Sequence, residues 1–529
     1  MRPFSGTHPG FGKVRLRAIG RILGHFGRHL RPHWRALLAA WLCTLGMSAM
    51  ELLRPWPMKV IFDVILGAPT RRTFHDLLPF PGASSGVLLA SLAISILIIA
   101  VLSGLFAYGQ AYVIASVGQR VVAAIRRQLY SHIQRLSHSF HDTHHSGDLL
   151  MRLTGDIGLL RELMVGSGLD LGDRLVVLLG MIGIMVWMDW QLSLIALGIL
   201  PFLVIAVSRF SGRIRRTAKE QRRNESQIAS ILSERISAIK IVQAFTREAH
   251  EDEGFSRQDE ASLKAGLRAS RLEMSLNRLV ELLVAVATCG VVWFGVRRVL
   301  AGVLTPGDLL VFTAYLTGLY KPVRKLASLT SRISKATACG ERIISILETE
   351  PQVRDAPDAI VAPPFRGEIT FEEVEFRYLP DEPVLNGISF TIKPGQTAAL
   401  VGPSGVGKST VANLLLRFYD PQKGRVLVDG TDVRRYTLAS LREQVAVVLQ
   451  EPLLFNTSVR DNIAYGKLDA SMEEIVSAAR AANAHDFIQE LEDGYGTVLS
   501  ERGGSLSRGQ RQRIAIARAL IRNAPIVLL

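Results

Sequence analysis

Apolar residues fall along this chain in two regimes. Up to about residue 330 they form long runs separated by basic stretches; past residue 367 they shorten to strand and helix lengths. From Trp34 to Met50 the chain is almost wholly apolar. After Glu51-Leu52-Leu53-Arg54-Pro55-Trp56-Pro57 the pattern resumes to Asp63. A spanning helix needs about 20 apolar residues, so residues 35–63 predict a first span, kinked at the prolines. Residues 65–85 read as a loop. A second span runs from Gly86 to about Tyr112. Beyond it, Val121, Ile125, Leu129, Ile133 and Leu136 recur at helical spacing with Arg120, Arg126, Arg127 and Arg135 between them. That is an amphipathic helix continuing into water. Some 25 extra residues would carry it on the order of 40 Å past the bilayer.

A third span is expected over 163–188, and a tight loop at Asp189-Trp190-Gln191 leads to a fourth over 190–208. A second basic excursion from Arg209 to Arg278 follows, then a fifth span over 279–296. A short loop at Gly302–Gly307 leads to a sixth from Asp308 to about Tyr320, weaker in hydropathy because Lys321 and Arg324 follow closely. Both excursions and the basic N-terminus belong on the cytoplasmic side by the positive-inside rule. Six spans then return the C-terminal region to the cytoplasm. Arg71, Arg72, Arg297 and Arg298 run against that rule. The soluble region opens with strand-like runs over Glu368–Tyr378 and Gly387–Ile392.

Composition agrees with a membrane part joined to a soluble part. The 529 residues exceed one core, and 48% hydrophobic content coexists with 21% charge and a mean hydropathy of +0.23. The net charge of +15 is largely topological, which removes the main support for nucleic-acid binding. Cys43, Cys289 and Cys339 lie too far apart for a metal pattern, and a disulfide scaffold is not indicated. Met1–Arg35 has no early apolar core and is not read as a cleaved signal peptide.

The candidate chemistry centres on Gly402-Pro403-Ser404-Gly405-Val406-Gly407-Lys408-Ser409-Thr410. Two glycines with four residues between them, then Lys and a hydroxyl residue, form the phosphate-binding loop pattern. The apolar run Thr397–Val401 reads as a buried strand before it, and Val411–Leu416 as the helix after it. Glycines let backbone N–H groups point at phosphate oxygens, and the helix N-terminus adds positive potential. Lys408 would reach the β- and γ-phosphates of ATP, and Ser409 would hold Mg²⁺.

Further motifs resemble the ABC transporter family. Leu506-Ser507-Arg508-Gly509-Gln510 resembles its LSGGQ signature, and Gln450 in Val447–Pro452 its Q-loop. Phe376-Arg377-Tyr378 resembles its aromatic A-loop, and Thr497–Gly503 the segment ahead of the signature in exporters. Gly147–Leu153, Ile239–Phe245 and Gly302–Leu309 resemble stretches of exporter membrane domains. The resemblance covers about residues 20–529 and is to an exporter-type half-transporter. It implies a six-helix transmembrane domain with long cytoplasmic extensions, then an α/β P-loop ATPase domain. The expected divisions are a basic segment 1–34, a membrane domain 35–330, a linker 331–366 and an ATPase domain 367–529.

The resemblance also implies roles. Tyr378 would stack on adenine, and Gln450 would join Ser409 on Mg²⁺. Ser507, Gly509 and Gln510 would close over the ATP held by a second copy's P-loop, so a homodimer or heterodimer is implied. The turns near 141–147 and 225–234 are the candidate coupling helices. Function would be ATP-driven export of a lipid, drug or other amphipathic molecule across a bacterial inner or plasma membrane. The alternative is a nucleotide-binding partner subunit or regulator that does not hydrolyse, or an inactive fragment. Arg508 departs from the signature's first glycine. The Walker B Asp, catalytic Glu and switch His of the family would lie beyond Leu529, so the sequence reads as truncated, with no catalytic residue present and hydrolysis not expected of it. His138, His141, His144 and His145 cluster near a turn, but the cytoplasmic setting without cysteine favours structural roles. Glu51, Arg54, Asp170, Asp173, Arg174 and Glu281 lie in or beside spans, where charge is costly; helix–helix pairing is the reading preferred for them.

Overall fold

A computed structural model describes residues 13–65, 85–144, 146–500 and 503–529. The predicted loop with Arg71 and Arg72, the first twelve residues, His145, Glu501 and Arg502 lie outside the described residues. The chain packs as two compact units, one of residues 1–130 and 150–346, the other of 131–149 and 347–529.

The first unit is helical. After α1 (Lys13–Leu30) come α2 (Trp34–Leu53) and α3 (Trp56–Ile65). Pro55 and Pro57 lack N–H donors and open the helix between α2 and α3, as the sequence predicts. The Tyr315 hydroxyl donates to the Leu52 carbonyl at this break, and Trp56 Nε1 donates to Tyr315 at 2.9 Å. The next helix, α4 (Ser85–Arg135), has 51 residues and no proline, roughly 75 Å of continuous rise. Its polar half buries the predicted stripe of Val121, Ile125, Leu129 and Ile133.

A short α5 (His138–Thr143) belongs to the second unit. The first unit resumes with α6 (Ser146–Met188), α7 (Trp190–Ser237), the short α8 (Ile239–Ala244) and the 53-residue α9 (Glu248–Leu300). It ends with α10 (Pro306–Gly318) and α11 (Tyr320–Leu347). Residues 331–347, predicted as linker, are therefore helical. The turn predicted at 225–234 lies inside α7; the break comes at Ala238 instead. No proline or glycine marks that site, so the sequence carries little local signal for it.

Among the described residues, five helices are long and apolar enough to cross a membrane: Arg17–Asp63, Ala90–Arg135, Ser146–Met188, Trp190–Ser237 and Glu248–Leu300. The predicted sixth falls on α10, whose 13 residues rise only about 20 Å before the backbone breaks at Leu319.

Some of the charges in or at the ends of spans are paired. Asp173, 1% exposed, accepts from the Ser48 hydroxyl at 2.9 Å and meets Arg174 at 3.1 Å. Gln110 donates to Thr44 at 2.8 Å. Arg298, which runs against the charge rule, meets Asp189 at 2.5 Å. Such pairing offsets the cost of burying an ionised group.

In the second unit, β1 (Ile369–Leu379), β2 (Glu382–Ile392), β3 (Lys423–Val428) and β4 (Thr431–Asp432) form an antiparallel sheet in the order β2-β1-β3-β4. Ile369 pairs with Ile392 on one side and Val428 on the other. Phe371, Val374, Val426 and Val428 face a core shared with Leu414, Leu415 and Leu441. Two further strands, β5 (Val445–Val447) and β6 (Ile526–Leu528), run parallel. A second core of Ile463, Ile488, Leu499 and Ile514 belongs to the helices between them.

The strand predicted at Thr397–Val401 is not formed. The segment is irregular and exposed, Val401 by 92%. A strand needs a ladder partner for its backbone groups, and among the described residues none pairs with this run. Between it and β6 lies a groove of about 440 Å³ lined by Phe371, Phe390, Leu400, Leu415 and Val527.

Candidate nucleotide site

The loop Gly402–Gly407 wraps the start of a helix, α12 (Lys408–Leu415). Two residues make the wrap possible. Gly405 and Gly407 have φ of 86° and 100°, in the left-handed region that side chains disfavour. Gly407 also abuts β2: a Cβ there would lie 2.7 Å from Leu385 Cδ2 and 3.2 Å from Val384 Cγ1. The loop therefore seats the N-terminus of α12 directly against the sheet.

Lys408 folds back over this loop, its Nζ donating to the Gly402 carbonyl at 2.8 Å and the Pro403 carbonyl at 2.7 Å. The ammonium is held at the loop that carries the first N–H groups of α12. These groups lack intrahelical partners and concentrate positive potential. The arrangement fits an anion with several oxygens. Ser404 and Ser409 are exposed, and Thr410 is buried beneath them.

Tyr378 comes from the end of β1 and reaches the same helix. Its hydroxyl lies 3.2 Å from Thr410 Oγ1 and accepts from Asn413 Nδ2 at 3.2 Å. Its ring meets Phe376 and Tyr419 edge-on, at 4.8 and 5.1 Å between centroids. An aromatic side chain is thus fixed beside the phosphate loop. Gln450 is exposed, three residues beyond β5. Ser409 and Gln450 both offer hard oxygen donors of the kind Mg²⁺ takes, from separate elements.

The signature residues occupy the start of α17 (Arg508–Leu520), which follows α13 (Leu438–Glu443) at the sheet's core and packs with α14 (Val459–Ala464), α15 (Met472–Ala481) and α16 (His485–Gln489). Ser507 is the N-cap: its Oγ accepts from Gln510 N at 3.2 Å, and Gln510 Oε1 accepts from Ser507 N at 2.8 Å. This is a capping box. Gly509 has open space where a Cβ would stand, and Arg508 sits exposed in the first turn. Arg511 braces the turn by donating to the Leu506 carbonyl at 2.6 Å.

Several positions that organise the site carry no motif. Buried Asn462 joins the stretch after Gln450 to α17. Its Oδ1 accepts from Phe455 N and Arg518 Nη2, each at 2.9 Å, and its carbonyl accepts from Arg518 Nε at 2.9 Å. On α5, Asp142 accepts from the Tyr419 hydroxyl and from His138 at 3.1 Å; Ser139 donates to Gln352 at 2.8 Å. Burial first, and then the Asp142 carboxylate, push the Tyr419 phenol above its ordinary range. The described histidines of this stretch have partners: besides His138, His141 bonds the Ile133 carbonyl, and His144 the Phe140 carbonyl. The aromatic pair Phe418-Tyr419 just past the P-loop helix is the sequence signal that would have pointed to this contact.

A P-loop, an aromatic beside it and a capped signature helix, on one chain with five long apolar helices, define an ATP-powered membrane transporter. Comparison with known proteins gives the family. Residues 37–323 match the ABC transporter transmembrane region, and residues 385–529 match the ABC transporter family. An ATP-dependent lipid A-core flippase of Syntrophus aciditrophicus is 37% identical over 518 residues, 98% of this chain and 83% of that protein. The flippase of the same name from Chromobacterium violaceum is 34% identical, over 96% of this chain and 84% of its own length. The solved structure of a bacterial Atm1-family ABC exporter with ATP bound superposes with a TM-score of 0.75 at 28% identity, covering 94% of this chain and 85% of that one. The chain belongs to the ABC transporter family, with a helical membrane domain followed by an ATPase domain as in exporter half-transporters. It is a multi-span membrane protein of ATP-driven export, and its ATPase domain is cytoplasmic.

Proposed function

We propose that this chain pairs with a second half-transporter, a copy of itself or a close relative, and moves a lipid or lipid-like amphipathic molecule outward across the cytoplasmic membrane. Two Mg·ATP would be buried between the ATPase domains. Lys408 and the Gly402–Thr410 backbone hold the phosphates, Ser409 and Gln450 hold Mg²⁺, and Tyr378 stacks on the base. Ser507, Gly509 and Gln510 complete the partner's site. Closure of the pair would be carried to the spans by rigid-body motion.

The observation that carries the reading is the union of two features in one chain. A glycine-shaped loop seats Lys408 on a helix N-terminus, and five helices are long and apolar enough to span a bilayer. The lipid-like substrate is supported by the names of the flippase relatives. Six spans are part of the proposal. Though short, α10 buries Phe312 and Tyr315 in the bundle core, and an even count keeps the N-terminal helix and the ATPase domain on one side. Short α8 leaves Ile241 and Phe245 61% and 72% exposed, as a helix that docks on a partner would.

The test is reconstitution in liposomes carrying a fluorescent phospholipid analogue. Adding Mg·ATP should change the fraction of analogue accessible to an external quencher, and Lys408→Ala should abolish the change. An ATP response unaffected by Lys408→Ala, or none at all with any amphipathic probe, contradicts the proposal.

A further inference from the structure

The N-terminal helix has a feature that neither the nucleotide site nor the spans use. Seven arginines and one lysine precede Glu51, the first acidic residue of the chain. Arg17, Arg21 and Arg28 fall within about 40° of one another on a 3.6-residue period, and Ile22 and Phe26 fall roughly 100° or more away. Ile22 and Phe26 are both 0% exposed. Ile22 packs on α11 so closely that a Cβ on Gly340 would lie 2.7 Å from its Cδ1, and His29 bonds Gln128 of α4 at 3.1 Å.

That packing decides what kind of surface is left. An interfacial amphipathic helix ordinarily binds a membrane by sinking its apolar face between the lipids. Here Ile22 and Phe26 of that face are covered by protein, Leu23 is 43% exposed, and the arginines remain outside. Arg17, Arg28, Arg31 and Arg35 are exposed. No carboxylate within the first 50 residues lies close in sequence to offset them. Arg31 and Arg35 stand where α2 begins, just ahead of the apolar run that opens at Ala36. Beside them Trp34 is 58% exposed, with the Arg35 guanidinium 5.6 Å from its ring centroid. Tryptophan and arginine at a span's entry match the headgroup layer, the one by its amphipathic ring and the other by its charge.

We propose that the exposed face of α1 and the start of α2 form a binding surface for anionic phospholipid headgroups of the cytoplasmic leaflet. Arg17, Arg28, Arg31 and Arg35 supply the cationic contacts, and Trp34 supplies the interfacial anchor. Arginine suits this task because its planar fork donates to two phosphate oxygens at once. The surface recognises chiefly the charge on the headgroup, since Ile22 and Phe26 of its own apolar side face protein.

The experiment compares lipid enrichment around the full chain. The protein is placed in nanodiscs containing phosphatidylcholine and phosphatidylglycerol in equal amounts, extracted in mild detergent, and its retained lipids are counted by native mass spectrometry. Phosphatidylglycerol should be retained in preference to phosphatidylcholine, less so as salt rises. Arg28→Gln/Arg31→Gln should cut its affinity roughly thirtyfold, the product of two surface charges near an anionic bilayer. Arg28→Lys/Arg31→Lys should retain most of it. Arg222→Gln/Arg223→Gln, which removes equal charge far along α7, should leave enrichment intact. Unchanged thermal melting and ATP retention show that the variants are folded. Equal retention of the two lipids, loss of enrichment in the α7 variant to the same degree, or complete displacement of phosphatidylglycerol by millimolar inorganic phosphate would overturn the proposal. The last result would mean that a free phosphate ion is the ligand.

Discussion

Two helices in the ATPase unit begin at residues that the sequence marks for phosphate, and they begin in opposite ways. The N-terminus of α12 is opened by backbone: Gly405 and Gly407 take left-handed conformations, and Lys408 folds back over the loop. The N-terminus of α17 is closed by side chains, because Ser507 and Gln510 cap each other's N–H groups. The first is therefore a complete anion cradle within one chain. The second is a capped helix start that, in the proposed dimer, would exchange part of its capping for a phosphate presented by the partner. The proposed composite site would divide along this line, with one half binding and the other half responding.

The largest expected effect breaks the first half. Gly407→Val forces a branched side chain into φ of 100° and against Leu385, a strain of about 1–3 kcal/mol before the clash is counted. Binding of a fluorescent ATP analogue should be lost and the melting temperature of the ATPase unit should fall. Next comes Lys408→Ala, which removes charge-assisted bonds to phosphate of about 1.5–3 kcal/mol. ATP affinity should drop roughly ten- to a hundredfold with melting unchanged, since the lysine's partners are exposed loop carbonyls.

The second half is probed through its cap. Ser507→Ala should cost about 1 kcal/mol of stability. Ser507→Asp keeps an N-cap oxygen and should restore melting, but it places a carboxylate where a partner's phosphate would arrive. Nucleotide-dependent dimer closure, read by cross-linking, should then fail in both variants while stability recovers in one. Recovery of both together would reduce Ser507 to a cap.

The smallest effect tests the contact behind Tyr378. Tyr419→Phe deletes the hydroxyl bonded to Asp142 and should cost about 0.5–1.5 kcal/mol or less, with little further loss when Asp142→Asn is added. The raised Tyr419 pKa has a definite sign. Its stabilising contribution is fully present below the unfolded phenol value of about 10. It is lost only as pH climbs through the higher folded value, so melting in Tyr419→Phe should be less sensitive to alkali than in the parent.

Much of this was legible from residue pattern. The kink at Pro55 and Pro57, the stripe Val121–Ile133 and strands β1 and β2 each follow from spacing that only one element satisfies. Where pattern failed, the missing information was tertiary. Thr397–Val401 has the composition of a strand but no ladder partner among the described residues. The bend at Ala238 has no proline or glycine to mark it. Asp142 and Tyr419 are 277 residues apart and meet only once both elements are placed. The capping box at Ser507–Gln510 was the legible feature that the signature motif obscured, since the same four residues satisfy both patterns.

The division of labour between α12 and α17 is tested most directly by mixing two defective chains. Lys408→Ala spoils the cradle and Ser507→Arg spoils the lid, so neither variant alone should retain ATP after rapid dilution. A mixed dimer contains one site with an intact cradle from the Ser507→Arg chain and an intact lid from the Lys408→Ala chain. Co-reconstitution should therefore restore retention to about one ATP per mixed dimer. If mixing restores nothing, or if the Ser507→Arg chain retains ATP as well as the parent does, the two halves do not form one site.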